Sequence, residues 1–139
     1  MSSEGYILIV DDDPDAAQLI EIVLRRAGFK TLTAFEGWDA LRKVQIEKPA
    51  LIVLDVMMPR IDGYEVCRHL RSDPDTKTIP VLMLTAKTGS RAQKDGFESG
   101  TDDYVFKPVK AEDLVTRVRA LLWADDWSRQ AHRLGTLVS

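Results

Sequence analysis

Three short stretches of the chain are wholly apolar and predict buried strands: Tyr6–Val10, Leu51–Leu54 and Val81–Leu84. Strands that are covered on both faces of a parallel sheet have such unbroken aliphatic runs, whereas half-exposed strands alternate apolar and polar residues. Each run is too short for a buried helix, and a polar residue follows each one. Two weaker stretches, Thr31–Ala34 and Asp103–Phe106, are further strand candidates.

The segments between these stretches have apolar residues at helical spacing. The predicted helices are Asp15–Ala27, Trp38–Val44, Tyr64–Leu70, Arg91–Ser99 and Leu114–Leu122. In the first helix the apolar stripe includes Leu19, and in the second helix Trp38 is expected to pack in the core. Gly96 interrupts the fourth helix and lowers its helical propensity.

Strands that alternate with helices predict a parallel sheet with right-handed crossovers and helices on both faces. Five strands in this pattern fit an α/β fold, the flavodoxin-like (βα)5 doubly wound sheet with strand order 2-1-3-4-5. We expect one domain over residues 5–123. Residues 124–139 are interpreted as a helical tail or the start of a linker, because Trp123, Trp127 and Ala131 continue the apolar spacing of the last helix. A helix that folds back on the domain is the alternative.

The composition is typical of a globular domain rather than a disordered chain. The 139 residues are 45% hydrophobic and 29% charged, with 19 basic and 22 acidic residues and a net charge of −3. This balance argues against direct nucleic-acid binding by this chain, and no apolar run is long enough to cross a membrane. A single cysteine, Cys67, fits a reducing compartment. We therefore expect a cytoplasmic protein.

Acidic residues follow two of the apolar strands. Counting all five predicted strands, Asp11 and Asp12 follow the first and Asp55 follows the third. Thr85 follows the fourth strand and Lys107 the fifth. Because the carboxyl ends of parallel strands meet at one edge of a sheet, these side chains are expected to converge. Converging carboxylates repel one another unless a cation compensates them. Mg²⁺ suits such an oxygen site, and the lysine and threonine suit an added phosphoryl group.

Ordinary explanations account for some of these residues taken singly. Asp13 and Asp15 flank Pro14 and are typical of the capped start of a helix. Thr85 could be another helix cap, and Lys107 a solvated loop residue. The acids lack the spacing of a calcium-binding EF-hand loop. Asp55 has no evident role in folding, and the coincidence of all these residues at strand ends favours a functional site.

The sequence closely resembles the receiver domain of bacterial two-component response regulators, including chemotaxis regulators of this type, over about residues 5–123. The resemblance lies in four motifs, in order along the chain. They are Ile7-Leu8-Ile9-Val10-Asp11-Asp12-Asp13, Leu54-Asp55-Val56-Met57-Met58-Pro59-Arg60-Ile61-Asp62-Gly63, Pro80-Val81-Leu82-Met83-Leu84-Thr85-Ala86 and Gly100-Thr101-Asp102-Asp103-Tyr104-Val105-Phe106-Lys107-Pro108.

The resemblance implies that Asp55 is the phospho-acceptor. It also implies that a sensor histidine kinase or a histidine phosphotransfer protein donates the phosphoryl group. It implies that Mg²⁺ is bound by Asp12, by Asp55 and by the backbone carbonyl of Met57, and that Asp11 reaches the metal through water. Such a domain is a signalling module and not a metabolic enzyme, although it assists its own phosphorylation and dephosphorylation.

The resemblance also implies which groups hold the phosphoryl oxygens. Lys107 and Thr85 match these positions, and the backbone N–H of Ala86 is expected to add a donor. The Lys107–Pro108 bond is expected to be cis, as is typical of the family. Tyr104 matches the switch aromatic, which moves inward together with Thr85.

Two further expectations concern output and lifetime. Asp102, Asp103, Asp113 and Arg117 raise the hypothesis of a homodimer through the face formed by the fourth helix, fifth strand and fifth helix, and the C-terminal helix is a second candidate. Met57 and Lys87 occupy the two positions that tune the phosphoryl lifetime in this family, and they predict slow self-dephosphorylation.

Two other classes remain as alternatives. A Mg²⁺-dependent phosphatase of the haloacid-dehalogenase type also forms an aspartyl phosphate, but its nucleophile lies in an Asp-x-Asp loop after the first strand. A flavodoxin-like FMN-binding domain needs a phosphate loop rich in Ser, Thr or Gly at that place. Asp11, Asp12 and Asp13 would repel a phosphate there.

Overall fold

The computed structural model describes residues 5–86 and 90–138. Within these ranges strands and helices alternate as predicted. The strands are β1 (Tyr6–Val10), β2 (Lys30–Ala34), β3 (Leu51–Asp55), β4 (Val81–Thr85) and β5 (Asp103–Phe106). The helices are α1 (Pro14–Arg26), α2 (Gly37–Ile46), α3 (Gly63–Ser72), α4 (Ser90–Glu98) and α5 (Ala111–Val138).

The five strands form one parallel sheet in the order β2-β1-β3-β4-β5. The predicted flavodoxin-like fold is therefore confirmed. Two apolar clusters cover the two faces of the sheet. Side chains from α2 and α3, such as Val44 and Leu70, belong to one cluster, and side chains from α1 and α5, such as Leu24 and Val118, belong to the other. This arrangement leaves the carboxyl edge of the sheet open between the helix layers.

Two helices next to this edge begin at acidic caps. The Asp13 carboxylate accepts a hydrogen bond from the Asp15 N–H at 3.0 Å, with Pro14 in the first turn of α1. This confirms the capping interpretation of Asp13. At α3, Asp62 and Glu65 form a reciprocal capping box. The caps determine where each helix leaves the edge, and so how close its first turn comes to the strand ends.

Two core assignments were wrong. Leu19 is 67% exposed, because α1 buries the side of the helix that carries Ala17, Ile20 and Leu24, and Leu19 lies about 100° away from Ile20. Trp38 is 49% exposed. The small residues of α2 take its buried positions, and the Trp38 ring packs edge-on against His69 instead, with the ring centroids 5.4 Å apart.

The C-terminal helical extension is confirmed. Helix α5 continues without a break to Val138. Trp123 and Trp127 are exposed on this part of the helix, and their rings stack in parallel with centroids 5.9 Å apart. Among the residues that the model describes, no helix has both the length and the apolarity to span a membrane.

Candidate functional site

Three carboxylates meet at the carboxyl edge of the sheet. Asp11 follows β1 and Asp55 ends β3, and these two strands are neighbours in the sheet. One oxygen each of Asp11, Asp12 and Asp55 lies within 4.8 Å of the others. Asp11 and Asp55 are buried, whereas Asp12 is exposed to solvent. The cluster therefore has two desolvated acids and an open side.

Lys107 is the cation of this site. Its Nζ lies 2.9 Å from Oδ2 of Asp11 and 3.7 Å from Oδ1 of Asp55. The residue follows β5, and its N–H donates to the carbonyl of Thr85 at 2.7 Å, which ties the loop to the end of β4. The Lys107–Pro108 bond is cis, as expected. One ammonium thus stands against three carboxylates, and the cluster keeps surplus negative charge.

The surroundings of Asp55 disfavour its charged form. Burial and the neighbouring Asp11 carboxylate raise its pKa to about 6, against the opposing effects of the Lys107 charge and a hydrogen bond from the Met57 N–H. The ordinary value is 3.8. An additional cation at the cluster would lower this pKa again, because an opposite charge stabilises the carboxylate.

Lys107 is held in its charged form. Burial alone would lower its pKa, but the hydrogen bond to Asp11 and the charge of Asp55 outweigh that effect and raise it above the ordinary value. The ammonium is therefore a permanent positive charge in the pocket. Since only a hydrogen bond and a long ion pair hold it, its remaining protons can serve another anion.

The other predicted site residues lie on the same edge. Thr85 is the last residue of β4, fully buried, and β4 pairs with β3 beside Asp55. Ala86 follows it and is exposed. The backbone of Met57 contacts the Asp55 carboxylate through its N–H, while the Met57 side chain points to solvent. Lys87 lies outside the described residues.

Gly63 is a site residue that the sequence patterns did not single out. A Cβ at this position would lie 2.4 Å from the carbonyl oxygen of Asp55 and 2.8 Å from Cα of Val56. The Gly63 N–H donates to the Val56 carbonyl at 2.9 Å. Only glycine lets α3 begin this close to the backbone of the central acid. The Asp62-Gly63 pair was visible as part of a motif, but the close approach was not.

Tyr104 lies away from the acidic cluster. It is 5% exposed, on β5. The rings of Phe97 and Phe106 flank it, with centroids 6.3 Å and 5.5 Å away. Its hydroxyl is 3.4 Å from the hydroxyl of Tyr64. Burial and this contact raise the pKa of Tyr64. In the sequence Tyr64 is recognisable only as the start of a predicted helix, because no local pattern distinguishes a tyrosine whose hydroxyl has a buried polar partner in the fold.

Four charged residues of the α4–β5–α5 face pair within the chain: Asp102, Asp103, Asp113 and Arg117. Arg117 binds the carboxylate of Asp103 at 2.9 Å and that of Asp113 at 3.1 Å. Asp102 pairs with Arg71 of α3 instead. These are the residues on which the dimer hypothesis rested, so in the single chain they already have partners.

Fold and site together define a flavodoxin-like domain with an acidic, lysine-containing pocket at the carboxyl edge of its sheet. The model of the response regulator receiver domain family matches residues 7–119. The chain belongs to this family, a family of phosphoryl-accepting signalling domains.

Two curated relatives of the chain are longer proteins. The DNA-binding response regulator MtrA of Mycolicibacterium smegmatis is 49% identical over 116 residues, which are 84% of this chain and 50% of MtrA. The alkaline phosphatase synthesis transcriptional regulatory protein PhoP of Bacillus subtilis is 45% identical over 116 residues, 84% of this chain and 48% of PhoP. The chain thus spans about half the length of the curated relatives it matches.

Solved structures agree with the fold. A putative response regulator from Chloroflexus aurantiacus has a TM-score of 0.82 and 43% identity, covering 85% of this chain and 97% of that one. The chemotaxis protein CheY4 of Vibrio cholerae has a TM-score of 0.80 and 31% identity, covering 84% and 98%. The comparisons do not support the phosphatase and FMN-binding alternatives.

Proposed function

We propose that Asp55 is the residue that accepts the phosphoryl group. The observation that carries this proposal is the position of its carboxylate, buried at the end of β3 beside the Asp11 carboxylate and 3.7 Å from the Lys107 ammonium. Family membership supplies the reaction, and the pocket supplies one acid that is both central and next to a cation. The proposed donor is a phosphohistidine of a sensor histidine kinase or of a histidine phosphotransfer protein.

The transfer is a nucleophilic displacement. A carboxylate oxygen of Asp55 attacks the phosphorus, a P–O bond forms and the P–N bond to the donor imidazole breaks. The imidazole nitrogen leaves with the electron pair of the broken bond. Because only the ionised carboxylate attacks, the pKa of about 6 leaves most of Asp55 reactive at neutral pH.

Mg²⁺ is the cation that we propose for the acidic cluster. The donor set fits it, because hard carboxylate oxygens from Asp11, Asp12 and Asp55 converge within 4.8 Å and carry more negative charge than Lys107 balances. Asp12, Asp55 and the backbone carbonyl of Met57 would be direct ligands, and Asp11 would act through water. When bound, the ion neutralises charge on the transferred phosphoryl oxygens.

Three groups of the chain are proposed to hold the phosphoryl oxygens. The Lys107 ammonium reaches toward Asp55 at 3.7 Å and can move onto an oxygen of the new group. The Thr85 hydroxyl and the Ala86 N–H lie at the end of the neighbouring strand β4 and can each donate one hydrogen bond. Tyr104 is proposed as the switch residue that reports the change to the α4–β5–α5 face.

The chain is proposed to act as a signalling module and not as an enzyme with a small-molecule substrate. We place it in the cytoplasm, with residues 5–123 as the receiver and residues 124–139 as a tail or the start of a linker. The chain spans only the part of the DNA-binding relative MtrA that matches its receiver-like half, 50% of that protein, so we propose that DNA contact is not a property of this chain itself. Salt-sensitive binding of this chain to duplex DNA would contradict that assignment.

Homodimerisation is proposed through the α4–β5–α5 face or through the extension of α5. The exposed, stacked Trp123 and Trp127 favour the extension, whereas Arg117 would have to exchange its partners within the chain. Sedimentation with and without beryllofluoride, an acyl-phosphate mimic, separates the two. A mass that doubles only with beryllofluoride supports the face, and a constant dimer supports the extension.

The direct test is phosphorylation by acetyl phosphate with Mg²⁺, followed by intact-mass spectrometry. Wild-type protein should gain one phosphoryl group, and Asp55→Asn should gain none. Asp102→Asn is the matched control, because it removes a carboxylate outside the cluster and should still be phosphorylated. A wild-type protein that stays unmodified, or an Asp55→Asn protein that is modified equally, contradicts the proposal.

A further inference from the structure

Tyr64 connects three elements through one hydroxyl group. The residue lies in the first turn of α3, and its hydroxyl donates to the Ala92 carbonyl of α4 at 3.1 Å. The same hydroxyl lies 3.4 Å from the hydroxyl of Tyr104 on β5. Both contacts are buried, and they join residues 28 and 40 positions apart in the chain. They therefore exist only in the folded arrangement.

The donor order in this network follows from the groups present. The Ala92 carbonyl can only accept, so the single proton of the Tyr64 phenol is directed to it. Because the Tyr64 hydroxyl uses its proton on the Ala92 carbonyl, its oxygen lone pairs remain available to accept a hydrogen bond from the Tyr104 hydroxyl. Tyr64 thus offers Tyr104 a buried acceptor, which favours the position of the ring in which that hydroxyl faces α3.

Gly96 provides the space that the Tyr104 ring occupies. A Cβ at Gly96 would lie 2.4 Å from Cδ2 and 2.6 Å from Cε2 of Tyr104. Glycine inside a helix is less favourable than alanine, so its presence in α4 needs a reason. The close approach of the ring is that reason, because any side chain here would displace either the ring or the helix.

We propose that Tyr64 is a positioning residue for Tyr104: its hydroxyl, together with the space over Gly96, sets the population in which the Tyr104 ring is buried. The inference rests on the proposed function in one respect, namely that Tyr104 is the switch residue. It adds that the equilibrium between the buried and exposed positions of Tyr104 depends on α3 as well as on the phosphoryl pocket.

The size of the effect follows from the loss of one hydroxyl partner. A buried hydrogen bond between neutral groups contributes about 1 kcal/mol, which corresponds to about a fivefold change in an equilibrium. We therefore expect Tyr64→Phe, which keeps the ring and removes the hydroxyl, to lower the ratio of buried to exposed Tyr104 by about fivefold.

The chain contains three tyrosines, Tyr6, Tyr64 and Tyr104, so ring-labelled tyrosine gives three signals that Tyr→Phe variants assign. The measurement is NMR of the full chain labelled with [13Cε]tyrosine, with a soluble gadolinium chelate as a probe of exposure. It is made first without any phosphodonor and then with beryllofluoride and Mg²⁺. Tyr6→Phe is the matched control, because it also removes a phenol hydroxyl that donates to a backbone carbonyl, that of Glu47, in a partly buried contact.

The expected result is specific to one signal. In Tyr64→Phe the Tyr104 signal should shift and relax faster with the chelate, and it should move further on addition of beryllofluoride than in wild type. In Tyr6→Phe it should stay unchanged. A Tyr104 signal that is the same in Tyr64→Phe and wild type overturns the inference. Equal changes in both variants also overturn it, since they indicate a general loosening of the fold.

Gly96→Ala tests the same inference without touching a hydroxyl. Alanine favours the helix, so α4 should not be weakened, but its Cβ should push the Tyr104 ring toward solvent. A Tyr104 signal that remains protected in this variant overturns the part of the inference that concerns Gly96. If Tyr64→Phe fails to fold, this variant still decides whether the buried ring depends on its surroundings in α4.

The two proposals can fail separately. Exposure of Tyr104 without a phosphodonor does not involve Asp55, so it tests Tyr64 even if Asp55 is not phosphorylated. Conversely, a normal phosphoryl gain with no effect of Tyr64→Phe on Tyr104 leaves the proposed function intact and removes the inference.

Discussion

The two ends of the central sheet each place an acid beside a base, but the acid and base are matched one to one in the pair at the N-terminal end and not in the cluster at the carboxyl end. At the N-terminal ends of β4 and β5, Arg71 and Asp102 pair at 2.8 Å. Asp102 also accepts from the Val81 N–H, at 2.8 Å. Arg71 donates in addition to three backbone carbonyls, those of Gly100, Lys77 and Ile79. One cation and one anion are thus paired and hydrogen-bonded.

At the carboxyl end the numbers of acids and bases differ. Asp11, Asp12 and Asp55 share Lys107, and burial beside Asp11 raises the pKa of Asp55. The comparison shows that an ion pair at a strand end is not by itself a site. A pair whose hydrogen-bonding groups are used stabilises the fold, whereas surplus charge and unused donors can bind and transfer another group.

The largest effect on stability is expected at the paired end. Arg71→Ala should lower the free energy of unfolding by about 2–3 kcal/mol, because it removes charged hydrogen bonds and leaves backbone carbonyls and Asp102 without their donor. Urea denaturation measures it. Arg68→Ala, an exposed arginine on the same helix, is the control and should change little. Equal losses in the two variants would show that the Arg71 network has no special role.

The same chemical substitution should act with opposite signs at the two ends. Asp55→Asn should raise the free energy of unfolding at pH 7 by about 1–3 kcal/mol, because it removes a buried charge beside Asp11. Asp102→Asn should lower it by breaking the pair with Arg71. Denaturation in the presence of EDTA compares them. A destabilised Asp55→Asn protein would mean that the cluster is balanced in the fold.

The pKa of Asp55 also predicts a pH dependence. The folded state holds this proton more tightly than the unfolded chain, since the pKa rises from 3.8 to about 6. Stability from this group is therefore highest below the unfolded value and falls as the pH rises through the interval between the two values. Urea denaturation in EDTA at several pH values should show this fall in wild type and a smaller one in Asp55→Asn. Parallel curves would contradict the assignment to Asp55.

A divalent cation should act on one end only. At a Mg²⁺ concentration ten times the dissociation constant, wild-type stability should increase by about 1.4 kcal/mol through linkage. Asp12→Asn should lose most of this increase, while Asp102→Asn should keep it. Thermal unfolding with titrated Mg²⁺ is the measurement. An equal response of all three proteins would indicate that Mg²⁺ acts by general screening.

The smallest effect concerns the lifetime of the phosphoryl group. The Met57 side chain is exposed beside Asp55, and we expect Met57→Asn to shorten the half-life several-fold, because a polar group can orient attacking water where the methionine excludes it. Radiolabelled phosphoprotein decay measures the half-life. Met57→Leu is the apolar control and should decay like wild type. An unchanged half-life in Met57→Asn would remove Met57 as a determinant.

Local patterns predicted most of the fold because strands buried on both faces and amphipathic helices have distinct periods. They failed at Leu19 and Trp38, where the same helical period allows two neighbouring faces and only packing selects one. They also placed Asp11, Asp12, Asp55, Thr85 and Lys107 at strand ends, because the end of each apolar run is visible in the sequence itself. The sequence shows Gly63 and Gly96 but not why they are glycine: in the fold each lets another segment approach too closely for a side chain.

By itself the sequence determined the order of the elements, the two-sided burial of the strands and the residues that stand at each strand end. The tertiary structure decided which of these residues share charge, why the pKa of Asp55 is raised and that Tyr64 meets Tyr104. The physical reason is the range of the interactions. Periodicity and capping act between near neighbours in the chain, whereas desolvation, ion pairing and buried hydroxyl contacts depend on segments that only folding brings together.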